Sequence, residues 1–597
     1  MCGIFGYFDL NNKRLHQDEI ELMGSLINHR GPDGTGIFSD KEQSISLGNN
    51  RLAIIDVKNG NQPFYSDNKE IVVVQNGEIF NFLELREELI NKGLKFDTKS
   101  DTEVILRLYE LYGVSELRKL NGMFSISIFD KRKKALYLIR DRIGEKPLYY
   151  NFQDNRLIFA SEIKSILSIV KSREVDLESL NQYLTFNYVP PPRTMFKDIK
   201  QVMPGSYIRI DENNFSEIKW WELSEINSEQ KKEKELKDSI YATLEDAVKI
   251  RLRSDVPFGA FLSGGIDSSS VVGLMSKNLN DPVKTFCIGF NENNFDESLF
   301  AKQAAERFHT DHYLEKVSPN LLDLWEETIY HCDQPHGDVS FMPTLRVAQL
   351  ASKKVKVVLT GDGGDELFAG YDKYLNFFEK YGNGLSDIDF YSKYFENITL
   401  FNNELREELY SKATKSKINH QESENIMSTL LDKSKHFDQI NKALYIDTML
   451  LLPGNNLIKP DRMGMAVSIE NRSPFLDFNM VELAFSIPGN LKLNNGESKL
   501  ILKRTFESLI GKKLTYRKKQ MFTVPIGNWL KTDLKDFCYD LLLSPKSRKR
   551  NLFNYIFIEK MIDKHMSGEK NYTREIRALM ALELWFRVFK VGCEISN

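Results

Sequence analysis

Ser263-Gly264-Gly265-Ile266-Asp267-Ser268-Ser269 follows the apolar run Phe258 to Leu262. After it, Val271, Val272, Leu274 and Met275 supply the apolar positions of a second pattern, Ser268 to Lys277. The first run predicts a strand and the second a helix. A strand, a glycine turn and a helix N-terminus together make an anion site. Glycine lets the backbone approach, and the unpaired N–H groups and helix dipole favour phosphate oxygens. No Gly-Lys-Ser/Thr follows, so this is not the Walker arrangement.

Downstream, Val283 to Gly289 is a second strand candidate about one βαβ unit away, which predicts parallel pairing. A third run, Val355 to Leu359, ends in Thr360-Gly361-Asp362-Gly363-Gly364-Asp365-Glu366. Acidic residues at the C-terminal end of a parallel strand stand where open α/β sheets bind ligands. Asp267 and Asp365 are therefore candidate Mg²⁺ ligands, since Mg²⁺ takes one or two carboxylates plus phosphate oxygens. Further on, Asp461-Arg462-Met463-Gly464-Met465-Ala466 runs into Ile469 to Asp477, and Gly496-Glu497-Ser498-Lys499 precedes Leu502-Lys503-Arg504.

Upstream, the chain opens Met1-Cys2-Gly3-Ile4-Phe5-Gly6. Removal of the first methionine, general before a small residue, frees the Cys2 α-amine. That amine, with a pKa of about 7.7–8.0, can accept the thiol proton near neutrality. A single cysteine is more often buried and inert. The company of Cys2 reverses that expectation: Asn28-His29-Arg30-Gly31-Pro32-Asp33-Gly34, Arg51 to Asp56, Gln75-Asn76-Gly77-Glu78-Ile79 and Ser100-Asp101.

These N-terminal motifs, over residues 1 to about 205, resemble class II (N-terminal nucleophile) glutamine amidotransferases. The Ser263 turn resembles the PP-loop of ATP pyrophosphatases. With the Thr360 turn and the two later segments, the pattern is similar to glutamine-hydrolysing asparagine synthetases, over roughly residues 1–370 and 445–530. The resemblance implies an α+β N-terminal nucleophile domain, with antiparallel sheets in αββα layers, followed by an α/β PP-loop domain with a parallel sheet.

It also implies roles. Cys2 attacks glutamine, Arg51 and Asp101 hold its α-carboxylate and α-amine, Glu78 helps with the amine, and Asn76 and Gly77 supply the oxyanion hole. Ser263, Gly264, Gly265, Asp267 and Ser268 take ATP. Leu262, Ile288, Thr360 and Gly361 line its adenosine pocket. Lys499 sits on the phosphates or the developing charge, and Asp362 occupies the position of a catalytic acidic residue, Glu in many members, implicated in forming the acyl-adenylate or in the ammonia step. The implied reaction amidates aspartate through β-aspartyl-AMP, releasing AMP, pyrophosphate and glutamate, with ATP and Mg²⁺ required. The same chemistry on another carboxylate, such as a uronic acid of a surface polysaccharide, stays open. A homodimer is a family expectation. Met463-Gly464-Met465-Ala466-Val467 departs from the Met-Ser-Met-Ala-His found in many members.

With 597 residues the chain is too long for one core. The expected layout is an amidotransferase domain over 2–205, a linker over 206–236 and an ATP-binding domain over 237–597, with 372–440 a helical insertion on the surface. Pro190-Pro191-Pro192 is extended and is expected to link the domains. Met123 to Asp130 and Ala135 to Arg140 predict a β-hairpin, Ile71 to Val74 a buried strand, and Phe80 to Asn91 and Thr102 to Leu111 helices. A net charge of −3 gives no electrostatic case for nucleic acid or an anionic membrane. No apolar stretch approaches the roughly 18 residues of a membrane span, and no signal peptide is visible. Five scattered cysteines, Cys2, Cys287, Cys332, Cys538 and Cys593, without CxxC spacing fit a reducing compartment, and a cytoplasmic location is expected.

Overall fold

The structure, a computed structural model, describes all residues except 14, 213, 229–230, 291–295, 318, 420, 519–525 and 593–597. Cys593 and part of the 445–530 match thus lie outside the described residues.

The strands of the N-terminal half are β1 (Cys2–Asp9), β2 (Gly34–Asp40), β3 (Ile45–Arg51), β4 (Phe64–Tyr65), β5 (Ile71–Ile79), β6 (Gly122–Asp130), β7 (Ala135–Arg140), β8 (Tyr149–Gln153), β9 (Arg156–Ala160), β10 (Lys200–Gln201), β11 (Ser206–Asp211) and β12 (Asn214–Lys219). They form two antiparallel sheets, β10-β8-β9-β1-β3-β2 and β12-β11-β7-β6-β5-β4. The Ile-Val-Val-Val run of β5 shows why they stack. Alternate side chains point to opposite faces. Val72 and Val74 meet Ile4, Phe8 and Leu47 between the sheets, while Ile71 and Val73 meet Leu85, Leu89 and Ile105 of the outer helices. Helices Phe82–Asn91 and Asp101–Tyr112 cover the second sheet, and Gln17–Ser25, Ile163–Leu167 and Leu177–Phe186 cover the first. The expected αββα layering and the β6–β7 hairpin are present.

The C-terminal half carries a parallel sheet of β13 (Phe258–Phe261), β14 (Lys284–Phe290), β15 (Asp311–Val317), β16 (Val357–Leu359) and β17 (Glu470–Arg472), in the order β15-β14-β13-β16-β17. From β13 the chain runs through helix Ile266–Asn278 to β14 on one side, and β16 adds on the other. β13 is therefore the switch point, where a crevice opens at the strands' C-terminal ends.

Three expectations need correction. Ser206–Asp211 and Asn214–Lys219, read as linker, form β11 and β12. Ile208 and Ile210 are buried once β11 pairs with β7, and the helix after the connection already starts at Glu233. The proline run does not join the halves, because β10, β11 and β12 return to the N-terminal sheets after it. The described residues of 372–440 are mainly helical, yet they are more than a surface addition. Tyr374, Phe377, Phe390 and Tyr394 enter the C-terminal core, and both tyrosine hydroxyls bond Asp447.

The halves meet across buried charge. Arg30 bonds Asp461 at 2.9 and 3.1 Å and Glu162 at 3.0 Å, Arg462 lies 2.8 Å from Glu162, and Lys164 lies 2.8 Å from Asp333. Charges removed from water require such partners.

Candidate active sites

Cys2 opens β1, directly opposite Arg51 of β3. Its N–H donates to Asn76 Oδ1 at 3.1 Å, while Asn76 Nδ2 reaches Ser161 Oγ only at 3.5 Å. Asn76 thus faces the cysteine backbone through its oxygen and has a donor only loosely engaged. Gly77 has φ +149°, and a Cβ there would stand 2.0 Å from the Met123 carbonyl, so only glycine fits. Burial pushes the Cys2 thiol up, against the pull of the Met1 ammonium and the Leu52 N–H, and the group stays protonated.

Asp101 begins helix Asp101–Tyr112 and accepts from Ile79 N–H at 3.0 Å and Gln75 Nε2 at 3.1 Å. Burial nevertheless raises its pKa. Glu78 is raised well above the carboxylate range by burial, then by Asp101 and Glu470, with Arg472 opposing. The Met1 ammonium pairs with Glu470. These acids collect where a bound ammonium would relieve them.

Arg51 is engaged by its own loop. Its Nη1 donates to Val57 O and Asn61 Oδ1, and its Nη2 to Ile55 O and Asp56 O, at 2.7–3.1 Å. The guanidinium holds the 55–61 loop in a tight turn, and a bidentate grip on a carboxylate requires exchanging two of those bonds. Gln62, a residue outside every motif read from the sequence, anchors on β5 through Gln75 N–H at 2.6 Å and directs Nε2 towards Cys2 Sγ at 3.9 Å. Only the fold of the 55–61 loop delivers it to the thiol.

At the second site the glycine turn closes on itself. Ser263 and Ser268 hydroxyls lie 3.2 Å apart, and Gly265 N–H donates to Ser263 Oγ at 3.3 Å. Gly264 has φ +70°, and a Cβ would come 2.4 Å from the Phe300 carbonyl carbon. Leu262 directly follows β13 and Ile288 lies on the adjacent β14, with Leu262 N–H donating to Phe286 O at 3.0 Å. Thr360 follows β16, its hydroxyl 3.0 Å from Ser473 Oγ and its N–H donating to Arg472 O at 2.9 Å. Gly361 packs against Asp267 Cβ, so the two turns touch.

Asp267 and Asp365 are brought together by Lys499, which bonds Asp267 and stands 2.6 Å from Asp365 Oδ1. Burial would lower the lysine pKa, but the two carboxylates outweigh it and raise it. Asp362 stands in the same turn. Burial pushes its carboxyl up, while Lys459 and the Thr360 hydroxyl pull it down. Arg517 is a further residue the sequence did not mark. It donates to Gly264 O at 2.9 Å and to Glu297 at 2.8 Å, and stacks over Phe300, so it braces the glycine turn.

The fold joins a half of two stacked antiparallel sheets, opening on Cys2, to a parallel α/β half with a glycine turn at a strand's end. The chain matches the Glutamine amidotransferase domain family over residues 1–221 and the Asparagine synthase family over residues 239–587. It is 33% identical to asparagine synthetase [glutamine-hydrolyzing] 1 of Bacillus subtilis, over 98% of this chain and 97% of that protein. It is 39% identical to putative asparagine synthetase [glutamine-hydrolyzing] 2 of Methanocaldococcus jannaschii, over 63% of this chain and 76% of that protein. It is also 34% identical to amidase chyE of Penicillium rubens, over 63% of this chain and 60% of that protein. The chain belongs to the asparagine synthase family. Among the described residues no helix is long and apolar enough to cross a membrane.

Proposed function

We propose that the protein makes asparagine from aspartate, ATP and glutamine. The observation that supports this reading is one residue shared by the two candidate sites. Arg472 lies 3.7 Å from Glu78 on one side, and its carbonyl accepts the Thr360 N–H on the other.

At the first site, with Met1 removed, the nitrogen now held by Asn76 Oδ1 becomes the free amine that takes the Cys2 proton. The thiolate attacks the glutamine amide, Asn76 Nδ2 and the Gly77 region stabilise the oxyanion, and ammonia leaves. Water then releases glutamate from the thioester. Glu78 and Asp101 hold the glutamine ammonium.

At the second site ATP lies across the β13 switch point, phosphates on Ser263 to Ser268. The aspartate side-chain carboxylate attacks the α-phosphorus, the bond to pyrophosphate breaks, and β-aspartyl-AMP forms. Ammonia displaces AMP. Lys499 neutralises phosphate charge and fixes the two carboxylates. Asp267 and Asp365, on touching turns with hard oxygen donors, fit Mg²⁺, which would supply further charge neutralisation when bound with the nucleotide.

Product analysis of the purified protein with aspartate, ATP and glutamine tests this. Asparagine, AMP, pyrophosphate and glutamate should appear in equal amounts. Formation of ADP instead of AMP would overturn the proposed chemistry.

A further inference from the structure

Beside Asp362 stands a set of charges that the proposed reaction leaves unused. Lys459, on helix Ile458–Met465, donates from Nζ to Ser340 Oγ at 3.1 Å, and Ser340 N–H donates to Asp338 Oδ1 at 2.9 Å. Arg577, on helix Thr573–Val588, faces Asp338 from a third element, and its Nε is buried without a partner. Among the described residues, none of Lys459, Arg577, Asp338 and Asp362 lies within the 4.0 Å of an ion pair with any opposite charge. Yet Lys459 is the positive charge that most favours ionisation of both Asp362 and Asp338.

The floor of this region is fixed. His336 is 5% exposed, bonds Asn455 through Nδ1 at 3.3 Å and stacks on Phe341, while its Nε2 is buried with no partner. Burial drives its pKa down to about 4, so it is a neutral polar wall. Half-buried charges usually pair with one another, because an unpaired one forfeits hydration with no return. Two cations and two carboxylates kept out of ion-pair range of one another form a place for a ligand that carries both signs.

We propose that Lys459 and Asp338 hold the head group of an α-amino acid acceptor. The ammonium takes its α-carboxylate and the carboxylate takes its α-ammonium, so that its side-chain carboxylate lies at Asp362. This rests on the function proposed above and narrows it. A uronic acid offers no ammonium to Asp338, so the clamp selects an amino acid.

The test measures pyrophosphate release by the full chain with ammonium chloride as nitrogen source, varying aspartate at saturating ATP and then ATP at saturating aspartate. Lys459→Met and Asp338→Asn should each raise the aspartate KM about tenfold or more, the scale of a lost charge-assisted bond, with the ATP KM little changed. Glutamine hydrolysis serves as the check on folding. Lys459→Arg should recover most of the loss, and Asp338→Asn should erase the preference for aspartate over succinate. An unchanged aspartate KM in both variants overturns the clamp while asparagine synthesis by the native protein still stands. A matching rise in the ATP KM for Lys459→Met also overturns it, by assigning the lysine to phosphate. If the native protein releases pyrophosphate with uronic acids and not with aspartate, the function proposed above falls, and the clamp falls with it.

Discussion

The Glu78 carboxylate lies 3.7 Å from the guanidinium of Arg472, although the two belong to different halves of the chain. Arg472 is also bound to Glu470 at 2.6 Å, and its Nη1 donates to the Arg251 and Arg253 carbonyls at 2.8 and 2.7 Å. Its own carbonyl takes the Thr360 N–H. A three-residue strand therefore touches the proposed glutamine site with a side chain and the proposed nucleotide turn with its backbone.

Arg472→Met should weaken glutamine binding and make it more pH-dependent. Burial, Asp101 and Glu470 already raise Glu78, and Arg472 opposes them, so its loss raises the pKa further. Only the ionised carboxylate holds an ammonium, and a raised pKa delays ionisation to higher pH. The glutamine KM should rise about tenfold at neutral pH and partly recover as pH climbs. A KM-versus-pH profile of glutamine hydrolysis checks this, and an unshifted profile contradicts it.

Arg30→Met should destabilise the protein by about 3–5 kcal/mol, because Asp461 and Glu162 would be left buried with too little positive charge. Burial alone would raise both acids. At Asp461, Arg30 and Lys146 outweigh it, and at Glu162, Lys164, His29 and Arg462 do. Their folded pKa values are thus depressed. The stability they give is complete above the ordinary carboxylate range, about pH 4, and is lost as pH falls through the folded values. Urea melts across pH should show the native protein losing stability in acid, and Arg30→Met losing less over the same range.

Lys499→Met should cut synthesis by about 10²–10³-fold, the scale of removing one preorganised charge stabiliser. It also takes from Asp267 and Asp365 the cation they share. Added Mg²⁺ should therefore raise the melting temperature of the variant more than that of the native protein. Equal shifts would contradict the assignment of those carboxylates to the metal.

Much of this was legible locally. The glycine turn at 263–269 and the β6–β7 hairpin follow from periods and turn residues that act over a few positions, while the αββα layering came from the family resemblance. The features that escaped local reading depend on distant chain. Residues 206–219 read as linker because Pro204-Gly205 and a charged tail bracket them, and the burial of Ile208 and Ile210 exists only through pairing with β7. Arg51 could be read for its charge, but its partners are carbonyls gathered by a loop. Gln62 and Arg517 carry no motif at all. Lys459 and Asp338 are 121 positions apart and meet only through Ser340.

Glutamine-derived nitrogen should reach the product without mixing with solvent. At neutral pH free ammonia is mostly protonated and poorly nucleophilic, so its transfer requires a sheltered route between the sites. With ¹⁵N-ammonium in the buffer and unlabelled glutamine as donor, the asparagine amide should stay largely unlabelled. Free exchange of label would exclude such a route.

The decisive measurement is pyrophosphate release by Cys2→Ala, with glutamine and with ammonium chloride as alternative nitrogen sources. A thiol that only makes ammonia for a remote adenylate predicts glutamine-driven synthesis lost by about 10³-fold or more and ammonium-driven synthesis within about twofold of native. Loss of both activities, or survival of glutamine-driven synthesis, would contradict it.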